Sequence, residues 1–412
     1  MLQRAVASFH PRSQPWGTRA AYRRELVASS TFPAAVAMLE GGVVGVMAKT
    51  VFDVSNLGFA TIAAAPMFAN LTSLFWTRAA RGRRKPAFVA AVMAALLLLV
   101  AAVGLLPTEG WGPAGLVVAV VVGRCLLAGM IAIRSAIWRM NYPRTVRARV
   151  TGKLVVIATL LLGAVPLLVG PLIDWQPGLF RAVYPAAALV GACAVFAFLG
   201  MRVRQEPQLL RSETAPPDDR DTAPRQPDGR RHTLVSVLRH DRHFRAYMTW
   251  QFVAGVCNMM GNTAFLLFVI DAVEHRDDAN TLGMLLGTTV PLAVTTATVP
   301  LWSRLLDGTH IARYRVFHGL TWILGQSSCY LAAATGQLWL FFLPMALRGV
   351  MQGGGVIAWQ LGHNDFADRR LAALYMGIHQ TLTGLRGAFA PFLGVLLLAG
   401  WGPATLPGTG HT

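Results

Sequence analysis

Long apolar runs, interrupted by short polar clusters, set the pattern of this chain. A helix crosses the hydrocarbon of a bilayer with about 20 mostly apolar residues. Runs of that size predict spans near 32–53, 56–77, 87–107, 113–138, 154–174 and 178–201, and again near 246–270, 280–303, 316–334, 338–361 and 373–400, eleven in all. Between the sixth and seventh lies the longest polar segment, with Ala215-Pro216-Pro217-Asp218-Asp219-Arg220 and Arg225-Gln226-Pro227-Asp228-Gly229. It lacks apolar periodicity and reads as a solvated linker, turning into a short amphipathic helix over Thr233–Arg242. The pattern predicts an all-α membrane protein in five parts: a cytoplasmic N-terminal tail (1–31), a six-helix bundle (32–201), a cytoplasmic linker (202–243), a bundle of five helices (244–400) and a tail (401–412).

Charge sets the orientation. Arg78, Arg81, Arg83, Arg84 and Lys85 follow span two; Arg139, Arg144, Arg147, Arg149 and Lys153 follow span four. Arg304, Arg313 and Arg315 follow span eight, and Arg369 and Arg370 follow span ten, whereas the opposite connections add little beyond Arg181 and Arg276. Basic clusters mark cytoplasmic loops, so the N-terminus is expected in the cytoplasm and, with an odd number of spans, the C-terminus outside. Charged residues make up 14% of the chain and apolar ones 54%, against about a quarter charged in a soluble protein. The net charge of +18 would suit nucleic acid, but its confinement to short loops argues for a lipid surface and no nucleic-acid partner. Cys125, Cys193, Cys257 and Cys329 fall in separate apolar runs with no metal-ligand spacing, so neither a metal centre nor a disulfide framework is expected. The first 30 residues carry Arg4, Arg12, Arg19, Arg23 and Arg24 without an apolar core, which excludes a cleavable signal peptide. The preponderance of Arg over the three lysines, Lys49, Lys85 and Lys153, fits a GC-rich bacterium and hence a multi-pass protein of a bacterial inner membrane.

Ionisable groups inside a membrane cost about 2.5–3.5 kcal/mol each on insertion scales and mark function or paired structure. Lys49, Arg134 and Arg181 lie near span ends, where they can snorkel. Glu40, Arg124, Arg348 and Arg386 lie near mid-depth. On span ten Arg348, Gln352, Gly355 and Trp359 fall at i, i+4, i+7 and i+11, one helical face. Span seven repeats the spacing with Gln251, Gly255, Asn258 and Asn262, and span eleven aligns Tyr375, His379, Thr383 and Arg386. Such stripes must face protein or water. They are either helix glue, donating to neighbouring backbones, or the walls of a solute site. Glu40 has two readings: a salt bridge with Arg124, or a carboxyl that desolvation equips to load and release a proton. One acid against three mid-depth arginines leaves net positive charge, which favours an anionic solute held by Arg.

The halves echo one another. Trp76-Thr77-Arg78-Ala79-Ala80-Arg81-Gly82 after span two matches Trp302-Ser303-Arg304-Leu305-Leu306-Asp307-Gly308 after span eight. Arg124 and Gly129 match Arg348 and Gly353, and Gly152 and Pro166 match Gly377 and Pro391, all at an offset near 225 residues. Duplicated bundles are a common build for secondary transporters. The partner of span six should begin near residue 403, yet the sequence stops at Thr412; a truncated product and a lost twelfth helix are both open. The chain resembles the major facilitator superfamily in its two bundles, polar central loop and basic Gly loop between spans two and three. That resemblance implies two pseudo-repeated helical bundles (6 + 5 transmembrane helices). Of the family's loop motif, Gly-x-x-x-Asp-Arg-x-Gly-Arg-Arg, this chain keeps Gly82, Arg83 and Arg84, with Ala79 in place of the Asp and Phe75 in place of the first Gly. Arg124 is similar to the fourth-span Arg motif. The family's spans one, four, seven and ten line a central cavity, which would gather Glu40, Arg124, Asn258, Asn262, Arg348, Gln352 and Trp359, with Gln251, His379 and Arg386 as further substrate contacts. Gly82, Arg83 and Arg84 would form a cytoplasmic gating loop.

Enzyme readings are weaker. No Gly-spaced lysine makes a phosphate cradle, and zinc-protease and nucleophile-elbow motifs are absent. His363 and Asp368, in His363-Asn364-Asp365-Phe366-Ala367-Asp368, could serve as an acyltransferase pair, but capping residues of a loop turn account for them. The expectation is a monomeric secondary transporter of a small solute, an organic anion by charge arithmetic, with protons as the candidate coupling ion and no cofactor or metal. The alternative is a sensor or scaffold of the same shape that does not transport.

Overall fold

The computed structural model describes residues 7–214, 234–361, 365–366 and 372–399. In chain order its principal helices are α1 (Arg19–Ala37), α2 (Gly41–Thr50), α3 (Asn56–Leu71), α4 (Ser73–Ala79), α5 (Lys85–Val103), α6 (Gly112–Asn141), α7 (Arg144–Trp175), α8 (Phe180–Leu199), α9 (Glu206–Thr214), α10 (Leu234–His240), α11 (Arg242–Val273), α12 (Ala279–Met284), α13 (Val290–Asp307), α14 (Ile311–Thr335), α15 (Phe342–Leu361) and α16 (Ala372–Ala399). A π-helical turn, Leu285–Thr289, joins α12 to α13. Among the described residues eight helical stretches are long and apolar enough to cross a membrane. The other three expected spans are helical but fall short: α3 has 16 residues, α14 carries His318, Gln326, Ser327 and Ser328, and α15 carries Arg348, Gln352 and three successive glycines.

The chain divides into two compact units, Met1–Asp53 with Thr72–Pro216, and Val54–Leu71 with Pro217–Thr412. The division at Pro216 and Pro217 falls within the segment 202–243, whereas α3, expected in the first bundle, packs along α16 and is grouped with the second unit. Gly387 makes that approach possible, since a Cβ there would overlap Met67. In the first unit α8 packs on α1 and α5, α5 on α6, and α1 on α7. In the second, α11 packs on α16, α13 on α15 and α15 on α14.

The first expected span, 32–53, is replaced by two helices. The helix begins at Arg19, within the segment expected to be tail, and breaks after Ala37. Gly41 takes a left-handed φ of 63°, Glu40 is extended as the N-cap residue of α2, and the Tyr184 hydroxyl donates to the Met38 carbonyl at 3.1 Å. The break thus leaves a backbone acceptor that a neighbouring helix satisfies, as a buried interruption requires. Residues 19–31 look polar because of their arginines and serines, yet Tyr22, Glu25, Ser29 and Phe32 are buried and share one helical face. Glu25 is fully buried. Arg134 donates to it through Nε at 2.8 Å and also through Nη2, and Trp138 Nε1 donates to its other oxygen at 3.0 Å. Arg134 therefore holds an internal ion pair instead of reaching for the interface.

Two local contacts give the sequence echo a physical content. A Cβ at Gly129 would overlap the Trp76 ring, and one at Gly354 would lie 2.9 Å from Trp302 Cδ2, with Gly353 beside Trp302 Cδ1. In each unit a Trp is seated on glycine of a long helix. The second unit goes further. Residue i+4 normally shields the carbonyl of residue i along a helix, and Gly353, Gly354 and Gly355 remove that shield from three successive carbonyls. Thr295 Oγ1 donates to Gly349 O at 2.9 Å, Trp302 Nε1 to Val350 O at 2.8 Å, and His318 Nε2 contacts Met351 O at 2.9 Å. Side chains from α13 and α14 thereby grip the α15 backbone directly.

Two outcomes are expected. Glu25→Ala should lower stability by about 3–5 kcal/mol by stranding the Arg134 charge, and Glu25→Leu with Arg134→Met should recover much of it; thermal unfolding in detergent reads both. Gly354→Ala, a change worth about 0.5–1 kcal/mol of gain in an unpacked helix, should instead cost about 1–3 kcal/mol, because the new methyl lies 2.8 Å from His318 Cδ2.

Candidate substrate site

In the first unit the helix break presents Glu40 to Arg124, and Oε2 and Nη1 stand 2.9 Å apart. The carboxylate is 42% exposed and the guanidinium 14%, so the pair forms with one partner open. The basic loop between α4 and α5 is also paired. Gly82 adopts a left-handed φ of 67°, and its N–H donates to Glu213 Oε2 at 2.9 Å. Lys85 Nζ donates to the same oxygen and to Ala80 O, both at 2.6 Å, and Arg81 Nε donates to the Glu213 carbonyl at 2.6 Å. Arg84 Nε lies 3.5 Å from Glu206, and the Arg83 guanidinium 5.8 Å from the Phe88 ring centre. The carboxylate missing at Ala79 is thus matched by one from α9, at the start of the segment read as linker.

In the second unit Arg348 is the centre of interest. Its Nε and Nη1 are buried without a hydrogen-bond partner, and among the described residues no carboxylate lies within ion-pair distance. It faces a narrow cleft of about 10 Å³, room for roughly one water, walled by Asn262, Trp322, Gln326, Cys329 and Met351 among others. Asn258 organises this wall: its Oδ1 accepts from Asn262 Nδ2 at 2.6 Å and from Trp322 Nε1 at 3.2 Å. Gly261 leaves room for the Gln326 amide, which would stand 3.2 Å from a Cβ there.

Other expected contacts sit elsewhere in this unit. Gln352 Oε1 receives a long contact of 3.5 Å from Thr295 Oγ1. Trp359 Nε1 donates to Thr383 Oγ1 at 3.3 Å, with its ring 5.7 Å from that of the buried His379. Arg386 donates from Nη1 to the Gln251 carbonyl. That carbonyl is open because Gly255, one turn on, has no side chain; a Cβ there would overlap the guanidinium. Gln251 therefore takes part through its backbone. None of Gln251, Gln352, Trp359, His379 and Arg386 lines the Arg348 cleft.

Sequence reasoning predicted the span of α14 near 316–334 but missed its polar face. Arg315, His318, Trp322, Gln326 and Cys329 fall at i, i+3, i+7, i+11 and i+14, which also places them on one helical face. Arg315 was counted as a loop charge, yet it lies inside the helix. His363 and Asp368 lie outside the described residues; Asp365 Oδ2 accepts from Ile311 N at 2.7 Å and so caps α14.

The profile of the Major Facilitator Superfamily matches residues 28–391. The chain belongs to that superfamily, and it is a transporter and not an enzyme. No curated protein matches it. Among solved structures it is similar to the nucleoside transporter NupG, at 11% identity and a TM-score of 0.62 over 93% of this chain and 90% of that one. It is similar to the xylose transporter XylE from E. coli in an inward open conformation, at 13% identity and 0.59 over 93% and 90%. A bacterial homolog of the human lysosomal transporter Spinster, inward-facing and unoccupied, gives 15% identity and 0.59 over 92% and 81%. At these identities the likeness establishes the fold alone.

Asn258→Leu should destabilise the protein by about 1–3 kcal/mol for each of the two donors it leaves without an acceptor. Trp322→Phe, which removes one donor and keeps the acceptor, should cost less; denaturant or thermal titration of the purified protein ranks the two.

Proposed function

We propose that this transporter moves a small organic anion by secondary active transport with alternating access, and that Arg348 grips the acidic group. The observation that carries this reading is a guanidinium whose Nε and Nη1 are buried without a hydrogen-bond partner, with no carboxylate within ion-pair distance among the described residues. Held in hydrocarbon such a charge is costly, and a solute carboxylate would offset it through charge-assisted hydrogen bonds. Asn258, Asn262 and Trp322 shape the adjoining wall, while Gln251, Gln352, Trp359, His379 and Arg386 offer polar contacts along the path. The cleft is too small for a solute as it stands, so binding requires the walls of α14 and α15 to part, as alternation between states entails.

Glu40 and Arg124 form the coupling pair in this reading. A proton on Glu40 releases Arg124, and loss of the proton restores the pair, so solute movement can follow a proton gradient. Gly82, Arg83 and Arg84, clasped by Glu206 and Glu213 through their loop, act as the cytoplasmic gate. The chain works as a monomer in a bacterial inner membrane with its N-terminus in the cytoplasm, as two bundles of six and five spans.

Flux in proteoliposomes across a panel of organic anions tests the proposal. Arg348→Ala should abolish saturable uptake while the purified protein keeps its unfolding transition, and Glu40→Gln should remove the response to an imposed pH gradient while exchange persists. Transport of organic cations with carboxylates ignored would overturn the anion assignment, and wild-type flux equal to empty liposomes would favour a sensor or scaffold.

A further inference from the structure

We propose that Arg315 and Arg386, anchored one helical turn apart on α11 at the Tyr247 hydroxyl and the Gln251 carbonyl, form a second anion site in this unit, built for an oxyanion of the phosphate class. It is separate from the Arg348 cleft, and its test does not depend on transport. Tyr247, Gln251 and Gly255 fall at i, i+4 and i+8 on α11, one strip of helix surface. Two arginines from different helices converge on that strip. Arg315 of α14 reaches the Tyr247 hydroxyl through Nη2 at 3.5 Å. Arg386 of α16 donates to the Gln251 carbonyl and lies over Gly255.

Several features separate this cluster from ordinary helix glue. Arg386 is only 6% exposed, and its Nε, like that of Arg315, is buried without a hydrogen-bond partner. Among the described residues no carboxylate lies within ion-pair distance of either arginine. The nearest acid on α11's end, Asp241, is spent on the Phe244 N–H and the Tyr375 hydroxyl, each at 2.8 Å. His318 adds no positive charge: with Nε2 donating to Met351 O, its Nδ1 keeps a lone pair towards Arg315 Nη1, 3.5 Å away. Two like charges with N–H groups to spare and no counter-ion repel one another unless a third party neutralises both. A carboxylate brings one negative charge, whereas a phosphate group brings about 1.5–2 with three strong acceptor oxygens. The arrangement therefore fits phosphate, and Arg recognises that group well. A free phosphate, a phosphorylated solute and an anionic lipid headgroup share this chemistry.

The full chain, purified in nanodiscs of phosphatidylcholine, provides the test through its melting temperature against inorganic phosphate, with chloride holding ionic strength constant. A saturable rise is expected for wild type and for the loop variant Arg276→Gln. Apparent affinity should fall at least about tenfold, one charge-assisted hydrogen bond's worth, in Arg315→Gln and in Arg386→Gln. Gly255→Ala, which keeps both charges but displaces the Arg386 guanidinium, should lose the response as well. Nanodiscs containing phosphatidic acid identify the source: stabilisation by lipid that phosphate displaces, and that both Arg variants lose, assigns the headgroup. No saturable phosphate response in wild type, an undiminished response in Arg315→Gln/Arg386→Gln, or acetate acting better than phosphate would overturn the proposal.

Discussion

A charge buried among membrane helices must be neutralised nearby or kept for something that arrives later. This constraint orders the whole molecule, and the two units meet it in opposite ways. The first unit pairs its charges: Glu25 with Arg134, Glu40 with Arg124, and Lys85 with Glu213. The second holds Arg315, Arg348 and Arg386, each with buried N–H groups lacking a partner. Pairing of opposite charges removes most of the desolvation penalty only when hydrogen bonds satisfy both ions, as Trp138 and Ser29 help to do around Glu25 and Arg134. The second set, among the described residues, has no carboxylate within ion-pair distance, and its only polar partners are neutral groups such as the Gln251 carbonyl and the Tyr247 hydroxyl.

Glycine plays a second organising part. In α15 and α11 it strips the cover from backbone carbonyls one turn earlier, and side chains of Thr295, Trp302, His318 and Arg386 use those acceptors. This binds helices through backbone atoms whose positions are rigid, without adding polar side chains that would themselves need partners in an apolar setting. The same absence of a Cβ brings α16 against Met67 of α3 and seats Trp76 on Gly129. Close packing and polar satisfaction are thus served by the same residues.

Much of this was legible in the residue pattern. The stripe Arg348, Gln352, Gly355, Trp359 lies on a single helix, and Asn258 and Asn262 do meet near Arg348. Of the residues matched between the halves, Trp76 meets Gly129 and Trp302 meets Gly353 and Gly354 within their own units. The errors share one cause. Glu25 and Arg315 lie in stretches whose net polarity resembles loop, and the charge census treated them as solvated. The burial of Glu25 depends on Arg134 and Trp138, and the placement of Arg315 on Tyr247, residues distant in sequence that no local window contains.

The amino-acid order by itself determined the helical class, the approximate places of the spans and the presence of more arginine than acid within them, because apolar length and periodicity are properties of contiguous segments. Which arginine found a carboxylate was decided only in three dimensions. So were the break that turns Glu40 towards Arg124, the transfer of α3 to the second unit, and the gathering of Arg315 and Arg386 on α11. Each depends on distance and dielectric between groups far apart along the chain, and those quantities do not exist until the helices pack.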